Sequence, residues 1–186
     1  MDRFMLHLKN SKYTPKNAKT ILSNSRDLAY GMTVIIRDCR VSSKFIELDV
    51  SVHKNNLELL LEKLASIGEV DHSRHIIEEI MEKNQLIKDG ISYFNNERFW
   101  ECHEALEGAW KQSSGDEKET IQGLILVAAA LVHYQKDEDD ICLSVLGRAL
   151  KKLQNKSGQY YQINIDRVKQ KTIEMLDRKE IFTFMF

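Results

Sequence analysis

Between Thr120 and Gln135 the chain reads TIQGLILVAAALVHYQ, a segment that is apolar on nearly every side when wound as a helix. Its longest strongly apolar run, Leu124 to Val132, falls far short of the roughly 20 residues a membrane-spanning helix needs. A short helix without a polar face has to be enclosed by other helices. This one segment therefore predicts a helical bundle with residues 120–135 as its central member.

The flanking sequence supplies the partners. Ile77, Ile80, Asn84, Ile87, Ile91 and Phe94 mark one face of a preceding helix that stops at Asn95-Asn96. A second helix, read from about Glu97, runs to Trp110 and is broken by Ser113-Ser114-Gly115. Asp116 and Glu119 have the spacing of a capping box for the central helix. The acidic turn 137–140 caps a fourth helix that turns Ile141, Val145, Leu146, Ala149, Leu150 and Leu153 inward. Asn164 caps a fifth, with Ile165, Val168, Met175 and Leu176 on one stripe. The final IFTFMF is too apolar to lie in water and is expected to dock.

Upstream the period changes to two. Phe4 to Leu8 suits a strand, and Thr14-Pro15 opens a helix to about Leu28. Met32 to Ile36 and Phe45 to Val52 read as strands around a Ser42-Ser43-Lys44 turn, with Ile46, Leu48, Val50 and Val52 on one face. Leu57 to Ile67 repeats as a helix stopped by Gly68, and Glu69 to His72 closes the unit as a strand. This order of strand, helix, strand, strand, helix, strand is that of the split β-α-β, or ferredoxin-like, arrangement. The expected fold is an α+β ferredoxin-like domain over residues 1–72, followed by an all-α bundle of about five helices over residues 73–186.

Charge and cysteine usage narrow the function classes. Lys and Arg total 27 against 28 Asp and Glu, so no overall field favours nucleic acid or an anionic membrane. No stacking-aromatic RNA signature lies on the strands. Cys39, Cys102 and Cys142 are widely spaced without a C-x-x-C pair, which argues against disulfides and cysteine zinc sites and suits a reducing cytoplasm. MDRFMLHLKN lacks the long apolar core and cleavage site of a signal peptide. No Gly-rich phosphate loop or G-x-S-x-G elbow occurs.

Candidate chemistry concentrates in FNNERFWECHEALEGAW, Phe94 to Trp110. On a helix, His103 and Glu107 lie one turn apart, Glu104 lies beside Glu107, and the apolar stripe of Phe99, Leu106 and Trp110 borders them. Gln122 and His133, eleven residues apart, share a stripe of the central helix, and polar groups there need partners. The His103 and Glu107 edge is the expected meeting point.

The run Gly90, Tyr93-Phe94-Asn95, Phe99 with Trp100-Glu101, His103-Glu104, Leu106-Glu107 and Trp110, then Gln122-Gly123-Leu124-Ile125 and Ala128 to His133, resembles the family called domain of unknown function 309 over roughly residues 75–155. The resemblance implies a small helical bundle whose shared polar residues converge between helices. It carries no established activity; the ligand-binding candidates are Glu101, His103, Glu107, Trp110, Gln122 and His133, with Trp100, Trp110 and Tyr134 as the walls of a pocket in a binding module. Asp139-Asp140-Ile141-Cys142 departs from the small element expected before the fourth helix, and the N-terminal seventy residues look like an added domain.

Three readings compete. One is a binding or regulatory module that recognises a small polar ligand. Another is a metal-dependent hydrolase in which His103 and Glu107 hold a divalent metal and Glu104 is the general base, since H-E-x-x-E resembles H-E-x-x-H with its second histidine replaced. The third is a buried polar network with no ligand. Cys102 beside His103 does not face it on a helix, and His7, His53, His72 and His75 are assigned no role. A homodimer is an expectation by analogy with other ferredoxin-like sheets.

Overall fold

The computed structural model describes residues 1–77 and 81–186. The chain divides into two compact units, Met1–Glu79 with Gln135–Asp137, and Ile80–Tyr134 with Glu138–Phe186.

The first unit runs β1 (Asp2–Lys9), α1 (Ala18–Leu28), β2 (Val34–Val41), β3 (Phe45–Val52), α2 (Leu57–Leu64) and β4 (Val70–His75). The strands form one antiparallel sheet in the order β2-β3-β1-β4. Short 3-10 turns at Pro15–Asn17 and Lys54–Asn56 lead into the two helices. At the first of them the Asn17 side chain accepts from the Thr14 backbone N–H at 2.8 Å, and Pro15 fixes φ where a helix must begin.

One sheet face carries Phe4, Leu6, Leu8, Ile46, Leu48, Val50 and Val52. These pack with Ala18 and Ile21 of α1 and with Leu60 and Leu64 of α2 into a closed core. β2 is longer than its alternation suggests because of a bulge. Its register shifts between Ile36 and Asp38, so the core-facing positions change from even, Ile36, to odd, Cys39 and Val41. Period-two reading loses the strand at that point. Gly68 is needed for close approach, since a Cβ there would lie 2.8 Å from the Lys9 carbonyl oxygen of β1.

The opposite face of the sheet is buried as well, although its residues are polar: His7, Arg40, Glu47, Asp49 and Ser51. Buried charges persist only when paired. Arg40 Nε lies 3.1 Å from Glu47, while Arg3 grips Asp49 through two bonds of 3.0 and 2.6 Å. The His7 ring stacks on His72 at 4.2 Å.

β4 continues to His75, so Ser73 to His75, where the helical period was expected to begin, is strand. The next helix starts only at Lys83, and Ile80 of its expected face lies outside the described residues.

The second unit contains α3 (Lys83–Asn95), α4 (Phe99–Lys111), α5 (Gly115–Tyr134), α6 (Asp139–Leu153), a small hairpin of β5 (Gln159–Tyr160) and β6 (Ile163–Asn164), and α7 (Ile165–Arg178). α5 is buried on several sides at once. Ile121, Leu124, Val127, Ala128 and Leu131 enter a core with Ile87, Phe94, Phe99 and Leu106, while Ala130 enters another with Cys142, Leu146 and Met175. Among the described residues no helix is long and apolar enough to cross a membrane.

The caps divide. Asn164 Oδ1 accepts from Arg167 N at 2.9 Å, as its position at the start of α7 dictates. Asp116 and Glu119 instead both bind Lys156, the latter at 3.0 Å. Ile141 is exposed because it occupies the first turn of α6, where the apolar stripe outruns its cover. The C-terminal segment docks on its own unit. Phe186 stacks on Phe94 at 3.6 Å with planes 7° apart, and its backbone N–H donates to Asn95 Oδ1 at 2.8 Å.

Candidate functional site

α4 positions the candidate groups. The backbone enters it through left-handed Glu97, and Phe99, Cys102, Leu106 and Ala109 anchor its inner face in the core. One turn around, the side chains of His103, Glu104 and Glu107 are 30%, 48% and 40% exposed. Their donor atoms, one ring nitrogen and two carboxylate oxygens, all lie within 4.8 Å of one another. His103 Nδ1 meets Glu104 Oε1 at 3.2 Å, and Lys111 lies 3.3 Å from Glu107. The helix is anchored through its inner face while these three side-chain ends remain accessible to solvent.

Glu101 points the other way and is buried. It forms a two-bond pair with Arg98, Nη2 to Oε1 being 2.6 Å, and sits in the first turn of α4, where the helix dipole favours negative charge. The Arg98 guanidinium in turn lies 4.7 Å from the centre of the Tyr93 ring.

Trp110 closes the α4 face. Its indole N–H is buried with no hydrogen-bond partner among the described residues, and Lys118 Nζ lies over its ring at 4.0 Å.

Among the described residues, no hydrogen bond joins Gln122 or His133 to His103 or Glu107. His133 Nδ1 pairs with Glu138 at 2.6 Å across the α5 to α6 turn. Eleven residues of helix span about 16 Å, whereas His103 and Glu107 are separated by only about 6 Å along α4, so one pair on α4 is too short to meet both residues of the stripe.

Residues 87–145 match a domain of unknown function, DUF309. The DUF309 match begins inside α3, takes in the whole of α4 and α5 and ends within α6, so His103, Glu104, Glu107, Trp110, Gln122 and His133 all fall in it. The chain is thus consistent with a DUF309 domain preceded by an additional N-terminal region. No curated protein matches the chain.

Polar networks that periodicity did not signal lie both within and outside the DUF309 segment. Glu117, at the start of α5, accepts from Lys83 at 2.8 Å and from the Tyr160 hydroxyl at 3.1 Å, which ties α3 and the hairpin to α5. The Lys83 bond holds the Glu117 carboxyl below its ordinary value, and burial pushes the Tyr160 hydroxyl up. The buried charges of the sheet had a visible signal in FIELDVSV, where Glu47, Asp49 and Ser51 alternate with the core residues. Alternation alone reads as a solvated face.

Proposed function

We propose that the helical unit is a binding module and that the His103, Glu104 and Glu107 edge of α4 recognises a small polar ligand. The observation that carries this reading is the convergence of one imidazole and two carboxylates within 4.8 Å on a half-exposed face of a well-anchored helix. Such a set offers net negative charge and several acceptors, which suits ligands rich in donors or positive charge. The strand order of the first unit is read as the ferredoxin-like arrangement. Its edges oppose addition of a second copy, because β4 carries Asp71, His72, Arg74 and His75 and β2 is bulged. The proposal therefore assigns recognition to the single chain, in a cytoplasmic setting.

The same three atoms favour a second reading, a metal-dependent hydrolase. Ligands about 2.1 Å from a tetrahedral ion lie roughly 3.4 Å apart, a contraction that side-chain rotation alone can supply. In that case His103 and Glu107 would hold the ion and Glu104 would serve as base. Glu104 already bonds His103, so as a third ligand it would leave the base role empty.

Metal analysis of protein purified without a histidine tag, repeated on His103→Ala, separates the readings. No metal under any loading condition supports the metal-free module, and stoichiometric metal lost in the variant supports the hydrolase. If His103→Leu matches wild-type stability and a broad ligand screen finds nothing, the cluster is a structural device and both readings fail.

A further inference from the structure

The first unit contains an open cleft of about 420 Å³. Tyr13 from the segment after β1, Asn24, Asp27 and Leu28 of α1, and Ser66 and Ile67 just past α2 line it. This volume is in the range of small-molecule sites. Leu28 and Ile67 belong to the rim of the apolar core, so the cleft offers an apolar surface for an organic body.

Its polar groups are unspent. The side chains of Asn24, Asp27 and Ser66 and the Tyr13 hydroxyl make no hydrogen bond or ion pair among the described residues. Asp27 stands in the last turn of α1, the end of a helix that disfavours a carboxylate. The basic side chains next to the lining residues contact other groups. Arg26 donates twice to the Ile36 carbonyl, at 3.0 and 2.9 Å, and Lys63 donates to the Leu28 carbonyl at 3.2 Å. Lys12 lies over the Tyr13 ring at 4.9 Å. Asp27 is thus an exposed carboxylate at a helix C-terminus that has no hydrogen-bond or ion-pair partner among the described residues and borders a cleft with an apolar side.

We propose that this cleft binds a small organic ammonium ion. The ammonium group pairs with the Asp27 carboxylate, Asn24 and Ser66 accept its remaining N–H bonds, and the carbon skeleton lies on Leu28, Ile67 and the Tyr13 ring. The site belongs to the first unit and is independent of the α4 edge.

The test uses the full chain, with phenethylamine and cyclohexylamine as cationic probes and 2-phenylethanol and 3-phenylpropionate as neutral and anionic counterparts. Binding is followed by calorimetry and by NMR shifts of the backbone amides of Tyr13, Asn24, Asp27 and Ser66. At least one amine is expected to shift these amides and to bind about tenfold more tightly than the neutral and anionic compounds. Asp27→Asn should remove that tenfold preference while leaving weak binding of 2-phenylethanol intact. It should also unfold at the same or a higher temperature than wild type, because the unfavourable helix-end charge is gone. Failure of both amines to shift these amides, equal binding of all probes, or full amine preference in Asp27→Asn would each overturn the proposal.

Discussion

Two glycines in helix interiors should respond to the same substitution with opposite sign. Replacing a mid-helix glycine by alanine gains about 0.8 to 1.0 kcal/mol of helix propensity. At Gly147 in α6 nothing lies within 4 Å of the added Cβ, so Gly147→Ala should gain roughly 1 kcal/mol. At Gly123 in α5 the Cβ would fall 2.5 Å from Leu153 Cδ2 and 2.6 Å from its Cγ. Carbon atoms prefer about 3.5 to 4.0 Å, and the branch carbon cannot be moved aside by rotating the terminal methyls. Leu153 is fully buried and has nowhere to retreat. Overpacking costs about 1 to 3 kcal/mol, and a clash with Cγ belongs in the upper half of that range, so Gly123→Ala should lose roughly 1 to 2 kcal/mol net. Urea denaturation followed by tryptophan fluorescence reads the helical unit, since both tryptophans, Trp100 and Trp110, are on α4. In a Leu153→Ala background, which itself costs about 2 to 5 kcal/mol, the obstacle is absent and Gly123→Ala should become stabilising by up to about 1 kcal/mol. The reasoning is refuted if Gly123→Ala matches Gly147→Ala, or if its penalty persists when Leu153 is alanine.

Three further outcomes follow from the structure. Phe186→Ala removes a stacked partner of Phe94 and should cost about 2 kcal/mol in the same urea assay; an unchanged midpoint would mean that the segment does not dock. Glu117 is held below its ordinary value of 4.5 by Lys83. Its contribution is therefore complete above 4.5 and lost as pH falls through the lower folded value, so Glu117→Gln should flatten thermal stability against pH in that acidic window only. Finally, burial pushes the thiols of Cys39 and Cys142 up to about 12 and raises that of Cys102 too. A thiol reagent should label none of the three quickly in the native protein and all three in denaturant; fast native labelling would contradict their burial.

Features that depend on neighbours along the chain were legible in the sequence. β3 runs from Phe45 to Val52 as its alternation requires, Asn164 caps α7, and the apolar 120–135 segment is the enclosed helix of a five-helix unit. The candidate edge on α4 was legible for the same reason, because His103, Glu104 and Glu107 are brought together by the helix itself.

Only the tertiary structure decided what depends on distance through space. His133, which shares a helical stripe with Gln122, pairs with Glu138 across the α5 to α6 turn, a partner that the stripe does not specify. Lys156 took the two carboxylates expected to form a capping box, since a long ammonium side chain from the segment after α6 outcompetes a local cap once packing places it there. The bulge in β2 changed which residues face the core, and the charged face of the sheet proved to be buried rather than solvated. Sequence periodicity reports which side of an element a residue occupies; what stands opposite that side, and at what height along it, is set by packing between elements that no local pattern encodes.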